Sequence, residues 1–160
     1  MSIQPGQQIP EAVLQTLRDG MQKIDTRHLF EGKRAVLFAV PGAFTPTCSE
    51  RHLPGYVEHV DEFTRRGIEL MCLSVNDPFV MQAWGEAQKV PPSLWMLADG
   101  NGDFTRALGL EMDASAYGMG LRSKRFALYV EDGVVRDVQV EAPGEFKVSG
   151  AEHMLSRLPD

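Results

Sequence analysis

The apolar positions of this chain fall into short runs of strand length, separated by stretches in which polar and apolar residues alternate at helical spacing. Ala35-Val36-Leu37-Phe38-Ala39-Val40 is a continuous apolar run, the pattern of a strand buried on both faces, and it stops at Pro41-Gly42. From Cys48 to Arg66 the spacing predicts a helix, with a kink expected at Pro54-Gly55 and a stop at Gly67. Ile68 to Val75 is a second apolar strand. The next helix starts at Asn76-Asp77-Pro78, where Asp77 is placed to cap and Pro78 fills the first turn. Leu94 to Leu97 is a third short strand, closed by Asp99-Gly100-Asn101-Gly102, and Asp103 to Leu108 forms one or two helical turns. Arg125 to Glu131 and Val134 to Glu141 flank Asp132-Gly133, a two-residue hairpin signal. Ser149 to Leu158 closes the pattern as a helix capped by Ser149 or Gly150, with Ala151, Met154, Leu155 and Leu158 on one face. The first thirty residues, with their Pro, Gly and a short mixed helix candidate, are read only as a lead-in segment.

Parallel strands joined by helices, then an antiparallel hairpin and a last helix, define an α/β chain: a mixed central sheet flanked by helices on both faces. This order resembles the thioredoxin-like fold. With 160 residues and no internal repeat, one domain over residues 1–160 is expected. In such sheets the reactive site lies beyond the carboxyl ends of the strands, which is where the loop from Pro41 to Cys48 falls.

Charge and composition narrow the function. A formal net charge of −6 argues against a footprint for nucleic acid or for an anionic membrane surface. Met1 to Gln15 carries neither a basic leader with an apolar run nor a spanning segment, so a cytoplasmic protein is expected. The two cysteines are too few for a disulfide framework and sit in no Cys-x-x-Cys or Cys/His cluster, so no metal or other cofactor is expected.

One of those cysteines is placed for chemistry. Cys48 stands at the amino end of a predicted helix, directly after a buried strand, where unpaired amide N–H groups and the helix dipole favour an anion. Ionisation alone is a limited gain: a thiol of ordinary pKa, about 8.5, is roughly 3% ionised at pH 7, so full ionisation adds only about 30-fold. The remainder has to come from groups that orient a substrate and stabilise charge on its departing oxygen, which calls for a nearby hydroxyl and a fixed cation.

The run Pro41-Gly42-Ala43-Phe44-Thr45-Pro46-Thr47-Cys48-Ser49 contains the Pro-x-x-x-Thr-x-x-Cys motif of peroxiredoxins and resembles their type II, or peroxiredoxin-five, subfamily. The likeness extends through Ser74-Val75-Asn76-Asp77-Pro78-Phe79-Val80-Met81 and Arg122-Ser123-Lys124-Arg125-Phe126-Ala127. It implies a thiol peroxidase, an oxidoreductase acting on hydrogen peroxide and organic hydroperoxides. Cys48 is then the peroxidatic nucleophile, Thr45 positions the peroxide, Pro41 shields the thiolate from water, and the arginine opening the late strand completes the site. That arginine is assigned to Arg125, with Arg122 as the alternative. The thiolate attacks the terminal oxygen of the O–O bond in line, leaving a sulfenic acid, while Arg125 and the Cys48 N–H stabilise the separating charges.

Blander readings stand beside each assignment. A lone cysteine after a strand usually packs, an isolated Thr usually caps, and Pro41 also ends a strand. Arg125 lies in a basic cluster with Arg122 and Lys124 that by itself would be solvated surface. Cys72, between Met71 and Leu73, reads as inert core, and a bridge to Cys48 would require the helix start to unwind. His52, four residues after Cys48, raises a Cys/His pair, which the family mechanism does not use. Phe44 and Phe79 read as core or rim packing, with the homodimer interface that the family implies as the alternative.

Some type II members form an internal disulfide with a cysteine near the carboxyl terminus, but Phe146-Lys147-Val148-Ser149-Gly150-Ala151 holds no thiol. Resemblance to the one-cysteine members implies recycling by glutathione with glutaredoxin, and thioredoxin is the second choice. A disulfide reductase is disfavoured because the residue three after Cys48 is Arg51. The rival of another class is a non-catalytic redox sensor or holdase driven by Cys48 oxidation.

Overall fold

The computed structural model describes residues 2–159. Its elements run β1 (Val13–Leu17), β2 (Met21–Asp25), α1 (Thr26–Phe30), β3 (Arg34–Ala39), a π-helical turn (Cys48–His52) leading into α2 (Leu53–Glu58), and α3 (Val60–Arg65). They continue with β4 (Ile68–Ser74), α4 (Pro78–Ala87), β5 (Leu94–Ala98), α5 (Asp103–Leu108), β6 (Glu111–Asp113), β7 (Leu121–Ser123), β8 (Phe126–Glu131), β9 (Val134–Val140) and α6 (Ala151–Arg157). The main sheet has the order β2-β1-β5-β4-β3-β8-β9, with β3, β4 and β5 parallel and the flanking pairs antiparallel.

The apolar run of β3 is continuous because both sides of the strand are covered. Side chains alternate across a strand, so Val36, Phe38 and Val40 join one buried cluster with Leu53, Tyr56, Phe63, Trp84 and Met154. Ala35, Leu37 and Ala39 join a second cluster with Leu29, Phe30, Phe104 and Leu108. A mixed sheet with helices on both faces is therefore the observed architecture.

The late hairpin forms as the sequence predicts: Glu131 pairs with Val134, and Asp132 and Gly133 both take positive φ, 47° and 79°. Asp77 caps α4 by accepting the Val80 N–H at 2.8 Å. Two expectations are corrected. The lead-in segment holds the β1–β2 hairpin, turned by Arg18-Asp19-Gly20, with Asp19 and Gly20 at φ 57° and 90°. A small two-stranded sheet, β6 with β7, lies outside the predicted elements. The last helix is capped at Gly150, one of the two caps expected, without a side-chain bond, and the Ser149 hydroxyl donates to Glu141.

Candidate active site

The loop after β3 is pinned from three sides. The Val40 N–H donates to Leu73 O at 3.0 Å, carrying the pairing with β4 one residue past the strand. The Ala43 N–H donates to Asn76 Oδ1 at 3.0 Å, and the Ser74 hydroxyl donates to the same oxygen. Gly42 is closely surrounded: a Cβ there would lie 2.9 Å from Arg122 Nη1, 3.1 Å from Met119 Cε and 3.2 Å from Thr45 Cγ2, so a side chain would displace these neighbours. The Thr45 hydroxyl donates back to Gly42 O at 2.7 Å, and the Ser49 N–H reaches Thr45 O at 2.9 Å, closing the first helical turn. Thr45 and Cys48, three residues apart, therefore share one side of that turn.

The predicted kink is a wider turn. Pro54 has no N–H to give the carbonyl four residues before it, and the helix accommodates the loss by π spacing, with the Leu53 N–H bonding Cys48 O. This turn carries both Cys48 and His52 inward, each with 0% exposure.

Arg125 comes from the other side of β3. Phe126 pairs with Ala39 at the carboxyl end of that strand, so the residue before it arrives beside the Cys48 loop. Arg125 Nη2 donates to Cys48 Sγ at 3.1 Å, and Nη1 donates to His52 Nδ1 at 2.9 Å. The far nitrogen of that imidazole, Nε2, lies 3.0 Å from Ser149 O, which also accepts from Tyr56 Oη at 2.7 Å. Ser149 is itself held by Glu141, whose carboxylate takes the N–H groups of Lys147, Val148 and Ser149, each at 2.8 Å, and the Ser149 hydroxyl at 2.7 Å. Burial, then the Arg125 charge, pushes the His52 pKa down to about 3, so the ring is neutral.

The structure thus brings Cys48, Thr45, Pro41 and Arg125 to one place, and of the two arginines Arg125 is the one in contact with the sulfur. Arg122 instead donates to Met119 O at 3.0 Å and, at a long 3.4 Å, to Pro41 O, bracing the loop without touching the sulfur. A cleft of about 430 Å3 is bounded by Pro41, Thr47, Tyr117, Lys124, Arg125 and Pro143, among others. Cys48 does not line this cleft and is 0% exposed, more enclosed than the sequence implied. Cys72 is a buried free thiol in β4, registered with Phe38 and Met96. Burial, then the nearness of Cys48, raises its pKa well above the ordinary thiol value. Phe44 and Phe79 are 56% and 65% exposed, which corrects the core-packing reading.

His52 is the member of the site that sequence reasoning set aside. Its signal was the four-residue spacing to Cys48, but the structure interposes Arg125 between the two side chains. Among the described residues, no group of three or more His, Cys, Asp and Glu side chains could hold a metal.

A buried parallel strand that delivers a thiol to the start of a helix, with a guanidinium on the sulfur, defines a thiol-based oxidoreductase of thioredoxin-like fold. The sequence matches the Redoxin family over residues 4–155. It is 47% identical to Peroxiredoxin-2B of Arabidopsis thaliana, over 88% of this chain and 87% of that one. A reduced Prx3 from Vibrio vulnificus, solved in complex with H2O2, superposes with a TM-score of 0.93 at 52% identity, covering 97% of this chain and 98% of that chain. Peroxiredoxin 5 from Alvinella pompejana gives a TM-score of 0.80 at 37% identity over 87% and 90% of the two chains. The chain belongs to the Redoxin family, among the type II peroxiredoxins, and its activity is that of a thiol peroxidase.

Proposed function

We propose that the peroxidase reaction runs on Cys48, with Arg125, Thr45 and Pro41 as the groups around it. The observation that carries this reading is the 3.1 Å contact from Arg125 Nη2 to Cys48 Sγ. The Cys48 thiolate attacks the terminal peroxide oxygen; an S–O bond forms, the O–O bond breaks, and the departing alkoxide or hydroxide takes a proton to leave as alcohol or water. Sulfur loses two electrons and becomes a sulfenic acid. Thr45 Oγ1 spends its hydrogen on Gly42 O, which leaves its lone pairs to accept the peroxide O–H and hold it in line. Arg125 stabilises charge on the separating oxygens.

Recycling falls to an external thiol, with glutathione and glutaredoxin favoured over thioredoxin. Supporting this, the segment from Phe146 to Ala151 has no cysteine, and Cys72 is buried in the strand ladder with a raised pKa. The acting form is a homodimer in the cytoplasm, with exposed Phe44, in the loop after β3, and Phe79, in the first turn of α4, as its contact; the bond from the Ala43 N–H to Asn76 Oδ1 ties the two segments together.

The test is stopped-flow oxidation followed by recycling. Cys48→Ser is expected to abolish peroxide consumption while circular dichroism is unchanged. The wild-type protein, treated with peroxide and then glutathione, is expected to carry one glutathione by intact mass and to turn over with glutaredoxin. Turnover by thioredoxin alone through a Cys48–Cys72 bridge would overturn the recycling route; peroxide consumption by Cys48→Ser would overturn the site.

A further inference from the structure

A second hollow, of about 270 Å3, lies between the last turns of α4 and the ends of β1 and β5. Strands β3, β4 and β5 run parallel. Cys48 follows the carboxyl end of β3, whereas this hollow sits at the amino end of β5, so the two lie at opposite ends of the sheet. Its floor is apolar. Leu17, Val90, Leu94 and Met96 line it, and Gly85, the α4 residue against Met96, brings no side chain to fill it. Met21, 45% exposed, extends that floor to the edge of the sheet, because it is registered opposite Leu17 and paired residues share a face.

Two cations border the hollow, and the side chain of neither has a hydrogen-bond or ion-pair partner among the described residues. The Arg18 guanidinium lies 3.8 Å over the Trp95 ring, with Nη1 buried and without an acceptor. Trp95 is a fixed platform for it: the Nε1–H donates to Glu69 Oε1 at 3.1 Å, and Lys33 Nζ holds Glu69 at 3.3 Å. The carbonyls of Trp84, Gly85 and Glu86 at the end of α4 are taken by the N–H groups of Gln88, Val90 and Lys89, so the Lys89 ammonium is not spent on them. Lys89 takes φ 56°, a conformation that suits glycine, yet the chain carries a cation there. Among the lining residues Glu86 is the only carboxylate.

We propose that this hollow binds a small carboxylate carried on an apolar chain, the chain lying on the Leu17–Met96 floor and the carboxylate meeting Arg18 and Lys89. The chain as a whole has a net charge of −6, so two unpaired cations beside one apolar floor set this place apart from its surroundings. A guanidinium stacked on an indole keeps its orientation and offers the planar fork that fits a carboxylate, while an ammonium adds a point charge. Ligand sites usually measure about 300–1,000 Å3, so this volume fits a ligand at the small end of that range. The site is independent of the chemistry at Cys48.

The probe is octanoate, titrated into the reduced full-length protein and followed by proton–nitrogen correlation spectra of the indole N–H groups of Trp95 and Trp84. Trp84 Nε1 donates to Ser49 Oγ at 3.0 Å, next to Cys48, and so reports on the other end of the sheet. The Trp95 signal is expected to shift with a Kd of about 0.1–1 mM, and the Trp84 signal to move much less. Octanol, which has the chain without the charge, is expected to bind at least about tenfold more weakly. Arg18→Met keeps bulk on Trp95 and is expected to weaken octanoate about tenfold. Lys89→Gly, which suits the backbone, is expected to weaken it about threefold, and Glu86→Gln to tighten it about twofold. The first oxidation by hydrogen peroxide is expected to be unchanged while octanoate is bound. A Trp95 signal that stays still up to about 10 mM octanoate, equal affinities for octanoate and octanol, or undiminished binding by Arg18→Met and Lys89→Gly would each overturn the proposal. So would a shift confined to Trp84 with slowed oxidation, which would place octanoate in the cleft at Arg125. Should circular dichroism show that Arg18→Met does not fold, Lys89→Gly decides alone.

Discussion

The two cysteines lie in the same apolar cluster and are equally buried, yet their surroundings differ in kind. Cys72 sits inside β4, between two paired strands, with a pKa pushed up by burial and by Cys48. Cys48 sits at the start of a helix, outside the ladder, with a guanidinium on its sulfur. Burial by itself therefore separates nothing here; the two thiols are set apart by whether the fold brings a cation to the buried sulfur.

The comparison breaks most sharply at the cation. Arg125→Met keeps length and bulk but removes the charge, and is expected to lower the peroxide rate constant about 100- to 1000-fold in stopped flow, the usual cost of a lost oxyanion donor. A rate within tenfold of wild type would mean that Cys48 needs no more than Cys72 has.

A second change tests the support behind the Cys48 region without touching β4. Glu141 is buried, and burial acts to raise its pKa; the hydrogen bonds from the Lys147 amide, the Ser149 hydroxyl and the Val148 and Ser149 amides outweigh this and hold it below the usual carboxylate range. A depressed folded pKa stabilises the fold above the unfolded value, and that stability is lost as pH falls through the folded one. Glu141→Gln is expected to cost about 2–3 kcal/mol at neutral pH by denaturant melting. The gap to wild type should shrink below about pH 4. A gap constant in pH would refute the assignment.

The smallest effect belongs to the other thiol. Cys72→Ala is expected to leave the first oxidation within about twofold of wild type and to cost about 1 kcal/mol of stability for the missing sulfur. A large loss of peroxide rate would place Cys72 in the chemistry after all.

How much of this was legible in the sequence differs from element to element. The β3 run, the Asp77 cap and the Asp132-Gly133 hairpin were readable because each rests on neighbours in the chain. Cys48, Thr45 and Pro41 were readable for the same reason, lying within eight residues of one another. Arg125 needed the family likeness, since its approach depends on β8 pairing with β3 across a large gap in the chain. The β1–β2 hairpin was missed although Asp19-Gly20 is the same kind of signal as Asp132-Gly133, because the strands beside it, Val13-Leu14-Gln15-Thr16-Leu17 and Met21-Gln22-Lys23-Ile24-Asp25, mix polar and apolar residues without strict alternation. The partners of His52 were not legible: Ser149 and Arg125 lie 97 and 73 residues away, and no local pattern foretells either contact.

The π turn between Cys48 and His52 makes this stretch unusually sensitive to length. With one residue removed between them, an ordinary α-helical bond would close the turn, and everything before it would swing by about 100° around the helix axis relative to α2. Tyr56 and the imidazole could then keep their seats only if the sulfur lost its own. Substitutions at exposed Glu50 and Arg51 can be absorbed as changes of surface, whereas a deletion there would amount to a change of architecture.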